Sequence, residues 1–209
     1  MTKELLIIFV KNITLGKVKT RLAKTIGNEA AFEVYSALVE VTEQATQHIN
    51  KDKWVCFSNT IVDSKWIGYT KSVQQGNDLG ERMKNAFKKG FEAGYERIVL
   101  IGSDLPDISK DHIQEAFEKL EDHKAVFGPA EDGGYYLVGL RDMHTFIFEN
   151  KPWSTPNLLQ ETLLELNQNH IKFTTLVTLN DIDTFEDLEV STFYKSNILL
   201  QQKIKQLND

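Results

Sequence analysis

The sequence predicts an α/β domain with a mostly parallel central sheet and helices on both faces. Two observations lead there. Over the first two-thirds of the 209 residues, short apolar runs of strand length alternate with longer segments whose apolar residues recur at helical spacing. Alternation of that kind joins parallel strands through helical crossovers. The chain also lacks any repeat, linker or low-complexity stretch, so residues 1–209 are read as one domain. A chain of this length buries roughly 70% of its unfolded surface without covalent staples.

Residues 5–10, an unbroken apolar run, form the first buried strand. Ala31, Val34, Tyr35, Leu38, Val41 and Ala45 then recur at helical spacing and predict an amphipathic helix over residues 28–49. Residues 54–57 are a second strand, and a polar loop leads to a short strand near residues 72–75. Asp78 opens a helix whose apolar face is Leu79, Met83, Phe87 and Phe91, with Gly94 as its stop. Residues 97–101 are a buried strand, and Ser109 caps a helix reaching about residue 121. Residues 125–127 and 135–140 are strands on either side of a Gly-rich turn. Thr155 and Pro156 suit the N-cap and first position of a helix running through Leu166. Residues 173–179 make a late strand, Thr184 with Asp187 resembles a capping box, and residues 194–207 form a polar helical tail.

Composition sets outer limits. The chain is 41% hydrophobic and 26% charged, which is ordinary for a globular protein. The apolar run at residues 5–10 is too short to span a bilayer and leads into lysines, so it is neither a signal peptide nor an anchor. The lone cysteine, Cys56, lies within the apolar stretch 54–57 and reads as a small buried hydrophobe. A reducing, cytoplasmic compartment is expected. The formal net charge of −6 argues against a nucleic-acid polymer as partner. Against that acidic background, residues 11–24 carry five cations and no acid, a patch suited to a small, highly charged anion.

Four stretches stand out, and three of them begin where a strand ends, the place where open α/β sheets bind ligands. Gly16-Lys17-Val18-Lys19-Thr20-Arg21 combines a flexible glycine, two point charges and a guanidinium fork ahead of a helix, which suits phosphate. A charged surface turn has the same composition. Neither a Walker loop nor a Gly-x-Gly-x-x-Gly fingerprint is present, which disfavours P-loop kinases and dinucleotide enzymes. In Gly102-Ser103-Asp104-Leu105-Pro106-Asp107, Asp104 stands as a ligand for a hard cation and Asp107 as a helix cap. Gly128-Pro129-Ala130-Glu131-Asp132-Gly133-Gly134-Tyr135-Tyr136 is a turn signal that also offers acids beside a close-approach backbone. In Asn180-Asp181-Ile182-Asp183-Thr184, two acids one residue apart point the same way on extended backbone, with helix entry as the other explanation. The five histidines show no ligand spacing.

Taken in order, these segments resemble a bacterial transferase family of the GT-A, nucleotide-diphospho-sugar transferase superfamily. That family is associated with radical-SAM and selenium-type domains and is related to the 2-phospho-lactate and molybdenum-cofactor guanylyltransferases. The resemblance runs from Phe9-Val10-Lys11 and Gly16–Leu22, through Gln75-Gly76-Asn77-Asp78-Leu79-Gly80-Glu81-Arg82-Met83 and Gly102–Pro106, to Gly128–Gly139, Trp153-Ser154-Thr155 and Asp181–Thr184. The family's loop carries prolines before its glycine where this chain has Ile13 and Leu15.

The resemblance implies a GT-A fold, a nucleotide over the first strand–helix loop, and a divalent metal, Mg2+ or Mn2+, on Asp104. With the residue reading it assigns nucleotide contacts to Gly16, Lys17, Lys19, Arg21, Gly76, Arg82 and Ser103. Gly80 is expected beside the nucleotide, and Lys11 and Lys24 are read as solvated charge. Catalysis is assigned to Asp104, Lys19, Arg21 and Asp132, and the metal to Asp104 with Asp183. Gly133, Gly134, Tyr135 and Trp153 are assigned to a small-molecule acceptor. The expected activity is glycosyl transfer from a nucleotide-diphospho-sugar. Nucleotidyl transfer from a triphosphate to a phosphorylated acceptor is the alternative, and a non-catalytic nucleotide-binding module is the competing class.

Overall fold

The computed structural model describes residues 2–208. Its strands are β1 (Glu4–Val10), β2 (Asp52–Phe57), β3 (Thr70–Val73), β4 (Arg97–Ile101), β5 (Ala125–Pro129), β6 (Tyr135–Leu140) and β7 (Phe173–Thr175). They form one sheet in the order β3-β2-β1-β4-β6-β5-β7. β6 runs antiparallel to both of its neighbours, while the remaining pairs are parallel.

The helices are α1 (Thr20–Gln47), α2 (Leu79–Glu92), α3 (Lys110–Asp122), α4 (Leu158–Gln168), α5 (Phe185–Val190), α6 (Thr192–Ser196) and α7 (Ile198–Asn208). The period-two alternation of β1 sorts its side chains between two faces. Leu6, Ile8 and Val10 pack with Tyr35 and Val39 of α1 and Phe117 and Leu120 of α3. Leu5, Ile7 and Phe9 pack with Met83 and Phe87 of α2 and Leu166 of α4. Helices therefore cover both faces, as the alternation predicts. Among the described residues no helix is long and apolar enough to cross a membrane.

Several local signals hold. Asp78 accepts from the Glu81 N–H, Ser109 accepts from the His112 N–H, and the Thr184–Asp187 capping box is complete. Others hold in part or not at all. α1 kinks at Gly27, where φ is 80°, so its longer segment begins at residue 28 as the spacing predicts, but a short helical segment from Thr20 precedes it. Its first turns are held by a third cluster, in which Leu22 and Ile26 meet Ile182, Leu188, Leu200 and Ile204. That contact is tertiary, although Leu22, Ile26, Ala30 and Val34 carry a four-residue spacing along the same side. Thr155 does not cap α4: its hydroxyl donates to the Pro152 carbonyl at 2.8 Å, and Asn157 occupies the N-cap. The late strand ends at Thr175, with Leu179 rejoining the sheet through a single bridge to Ala130. The tail divides at Asn197, whose side chain accepts from the Leu200 N–H at 3.0 Å.

Candidate active site

From β1 the chain turns through α1 to β2 on one side, whereas β4 pairs with β1 on the other. This reversal of strand order opens a crevice at the carboxyl ends of β1 and β4. A cleft of about 590 Å³ occupies it, lined among others by Lys11, Lys19, Arg21, Arg82, Asp104, Asp132, Asp181 and Asp183.

Lys19 sits at its centre. It precedes the first turn of α1 with φ 45° and ψ 50°, a left-handed conformation that a residue with a side chain adopts at a cost of about 1–3 kcal/mol. Its side chain is only 5% exposed, and its Nζ lies 3.1 Å from Asp104 Oδ2 and 3.0 Å from Asp183 Oδ1. Burial alone would push the ammonium down, but Asp104 and Asp183 outweigh it and hold the group well above the ordinary lysine range. Arg21, mostly exposed, reaches the other oxygen of Asp183 at 3.3 Å.

The acids arrive from two elements. Asp104 follows β4, whose end is fixed by the Gly102 N–H donating to Tyr136 O at 3.3 Å. Asp181 and Asp183 flank Ile182, which is buried in the third cluster. The Asp187 carboxylate accepts from the N–H groups of Asp183 and Thr184 at 3.1 and 2.7 Å, fixing that backbone. Asp104, Asp181 and Asp183 each offer an oxygen, and these atoms lie within 4.8 Å of one another. Three convergent carboxylates with a cation wedged among them suit a hard divalent ion.

Asp181 carries the clearest electrostatic signature. Burial first, then the charges of Asp104 and Asp183, push its carboxyl up to about 6 from 3.8. Between those values the folded protein holds more protons on Asp181 than the unfolded chain does. Its contribution to stability therefore falls as pH rises through that window and is flat above it. Asp181→Asn is expected to raise the melting temperature at pH 7 and to lose that advantage near pH 4. The difference should be on the order of 1–2 kcal/mol after solvent screening. Thermal melts of both proteins across pH would show a constant gap if the carboxyl were not strained by its neighbours.

The structure brings most of the sequence-assigned residues together. Lys19, Arg21, Arg82, Ser103, Asp104, Asp132, Gly134, Tyr135, Trp153 and Asp183 all line the cleft. Arg82 is held there by donating its Nε–H to Gly76 O at 3.1 Å. Ser103 is buried, and its Oγ lies 2.9 Å from the Tyr35 hydroxyl, which accepts from the Lys11 N–H at 3.0 Å. This chain of hydrogen bonds ties the ends of β1 and β4 to α1. Burial pushes the Tyr35 hydroxyl up to about 12, which keeps it protonated into the alkaline range.

Four assigned residues are not among those lining the cleft: Gly16, Lys17, Gly76 and Gly133. Lys17 is exposed on a turn closed by its N–H to Thr14 O at 3.0 Å, and Gly16 faces the Asn28 side chain. Gly76 abuts the Arg82 backbone. Gly133 has φ 88°, and a Cβ there would stand 1.9 Å from Pro156 O, so it fits the turn against the entry to α4. Gly133→Ala is expected to cost about 3 kcal/mol in urea unfolding, from clash and backbone strain together. A loss under about 1 kcal/mol would mean the turn relaxes freely. Gly80 likewise approaches protein: a Cβ there would lie 2.5 Å from the Trp153 ring and 2.3 Å from Phe148 O.

Lys11, Ser58, Gln74 and Asp181 also line the cleft, although the sequence reading did not assign them to it. For Asp181 the signal was present, since residues one apart on extended backbone share a side. Lys11 is displayed at the end of the first strand, a position that favours a site over solvated charge.

A switch-point cleft with facing cations and carboxylates, on this strand order, defines a protein of the nucleotidyltransferase and nucleotide-diphospho-sugar transferase fold. The chain belongs to the family described as "Uncharacterized protein conserved in bacteria (DUF2064)", whose pattern matches residues 30–155. It is similar to the solved structure of a candidate nucleotide-diphospho-sugar transferase from Desulfovibrio desulfuricans, with 33% identity, a TM-score of 0.86 and 99% of each chain covered. It is 26% identical over 187 residues to the 2-phospho-L-lactate guanylyltransferase of Methanocaldococcus vulcanius, covering 88% of this chain and 82% of that relative. The fold extends to 4-diphosphocytidyl-2C-methyl-D-erythritol synthase from Anaerococcus prevotii, at 13% identity, a TM-score of 0.62 and 96% of each chain.

Proposed function

We propose that the protein is a metal-dependent nucleotidyltransferase that joins a nucleoside triphosphate to a small phosphorylated acceptor. The observation carrying this reading is Lys19, buried between Asp104 and Asp183 at the switch point, with Lys11, Arg21 and Arg82 in the same cleft. Four converging cations match the dense charge of a triphosphate better than that of a diphosphate bearing a neutral sugar. The guanylyltransferase relative supports the same preference. The glycosyl-transfer alternative keeps the support of the Desulfovibrio neighbour's description.

Asp104, Asp181 and Asp183 would hold Mg2+ or Mn2+, which when bound there neutralises phosphate charge. Lys19 and Arg21, at the start of α1 that no side chain caps, would contact phosphate oxygens, with Arg82 of α2 lining the same cleft. An oxygen of the acceptor phosphate attacks the α-phosphorus, the bond between that phosphorus and its bridging oxygen breaks, and pyrophosphate leaves with the electron pair. The chain's residues contribute positioning and charge stabilisation rather than covalent chemistry. Asp132, whose Oδ1 accepts from the Gly134 N–H at 2.8 Å, lines the same cleft and would act on the acceptor side of the reaction.

A thermal-shift series with triphosphates, diphosphates and nucleotide-sugars, each with and without Mn2+, tests the reading. A triphosphate at about 100 times its Kd should stabilise the fold by roughly 2.7 kcal/mol, with the larger share of the shift requiring metal. Stabilisation by nucleotide-sugars and not by triphosphates would transfer the conclusion to glycosyl transfer. Silence from every nucleotide would leave neither standing.

A further inference from the structure

Lys19 meets the acidic cluster through the same oxygens that a metal would need. Its Nζ lies 3.1 Å from Asp104 Oδ2 and 3.0 Å from Asp183 Oδ1. Arg21 takes the second oxygen of Asp183 at 3.3 Å. Both oxygens of Asp183 and one of Asp104 therefore already face a cation of the protein. These are two of the three acids whose oxygens converge within 4.8 Å. A hard divalent ion binds carboxylates through those same lone pairs, at closer range than an ammonium does. Two cations side by side also repel strongly where solvent is scarce, and the Lys19 side chain is 5% exposed. Lysine and metal thus compete for Asp104 and Asp183. With Lys19 and Arg21 in place the three carboxylates keep one net negative charge, and with Lys19 withdrawn they keep two.

The ammonium has a second place to go. Lys19 is also the residue immediately before the first turn of α1, a start that no side chain caps. Free N–H groups at such a start hold phosphate. Lysine is a point charge on a flexible four-carbon stem, so it can pass from the acids to a phosphate there by side-chain rotation.

We propose that Lys19 closes the carboxylate cluster to metal until a triphosphate withdraws its ammonium, so that the protein takes up a metal–triphosphate chelate and binds the free ion poorly. This rests on the nucleotidyl-transfer reading and names the species in which the first substrate is bound. Metal and triphosphate then favour each other by the same factor, whichever binds first. Arg21 is no second lock, since its side chain is 67% exposed and it reaches only Asp183.

Calorimetry on the full chain, with Mn2+ alone and with the Mn2+–tripolyphosphate chelate, tests this without choosing a base. The proteins are wild type, Lys19→Met and Lys17→Met, the last removing an equal charge from the exposed turn outside the cleft lining. Lys19→Met should bind free Mn2+ about tenfold tighter than wild type and the chelate about tenfold more weakly. Lys17→Met should match wild type for free Mn2+. A lysine that merely holds the fold gives no such reversal of order, and Lys19→Gln serves the same comparison should methionine unfold the chain. If Lys19→Met binds free Mn2+ no tighter than wild type, if Lys17→Met tightens it equally, or if Lys19→Met keeps the wild-type affinity for the chelate, the proposal fails. Chelate binding by wild type would in each of those cases leave the nucleotide reading standing. If the chelate does not bind wild type, both fall.

Discussion

Asp104→Asn is expected to lower turnover by about a thousandfold while leaving the fold intact. The substitution keeps the volume of the side chain and removes one of the three carboxylates that converge within 4.8 Å. Lys19 retains Asp183 at 3.0 Å, so the buried ammonium is not stranded, and a change of only a few degrees in melting temperature follows. Metal-dependent stabilisation by a triphosphate should largely disappear, whereas metal-free nucleotide binding should persist through Lys19, Arg21 and Arg82. Because Asp104 is one of the charges that raise Asp181, the pH dependence attributed to Asp181 should weaken in the same variant. Normal turnover in the Asp104→Asn protein would remove the carboxylate cluster from the reaction, and a simple binding module would show only a modest change in affinity.

Lys19→Met should be as damaging to turnover, about a thousandfold, and worse for the fold. Methionine preserves the apolar stem but leaves Asp104, Asp181 and Asp183 facing one another with only the exposed Arg21 beside Asp183. Breaking a fully buried pair costs about 3–5 kcal/mol. The partner carboxylates here are 39% exposed, so solvent screening reduces the expected loss to about 1–2 kcal/mol. Mn2+ should restore much of that stability if the three carboxylates hold it, a rescue that a purely structural lysine would not show. The pH sense is fixed by the raised lysine. Its contribution is complete below 10.5, its ordinary value, and is lost only as pH rises through the higher value of the folded state. The wild-type advantage should thus remain flat from about pH 7 to about pH 10. Lys19→Gly separates charge from backbone: it deletes the ammonium and relieves the left-handed φ of 45°. Glycine should therefore melt about 1 kcal/mol above methionine. Equal melting of the two would show that the backbone carries no strain.

Much of the fold is legible in local pattern because its signals are local. Residues 98–101 are apolar behind Arg97, and the expected strand over 97–101 recurs unchanged as β4. Asp78, Ser109 and Thr184 cap the helices they precede, since a cap depends on only three or four neighbouring residues. The start of α1 is harder to read because Gly27 interrupts the helix with φ 80°, although Leu22 and Ile26 continue the four-residue spacing of Ala30 and Val34 beneath α5 and α7. Residues 176–179 read as strand from their apolar pattern, yet they touch β5 only at their two ends, where the Leu176 N–H donates to Phe127 O and the Leu179 N–H to Pro129 O.

The candidate site divides along the same line. Lys19, Arg21, Asp104 and Asp183 stand out as charges at strand ends, and the structure gathers them. Lys17 and Lys19 cannot be ranked from spacing, because one tight turn buries the second and exposes the first. Gly80 and Gly133 signal close approach correctly, but composition does not say whether ligand or protein approaches, and here Trp153 and Pro156 do.

Lys19 meets Asp104 across 85 residues of sequence and Asp183 across 164. Loops of that size close late and slowly compared with helices and neighbouring strands. On a ribosome the lysine and the first acid can be paired while the second acid is still unmade. The charged centre is then assembled in stages, with Asp183 as its final member. A nascent or truncated chain ending before Asp181 would possess all seven strands but only one of the three carboxylates. On the proposed reading, competence for chemistry then requires synthesis past Asp183, and chains that stop earlier should be inactive.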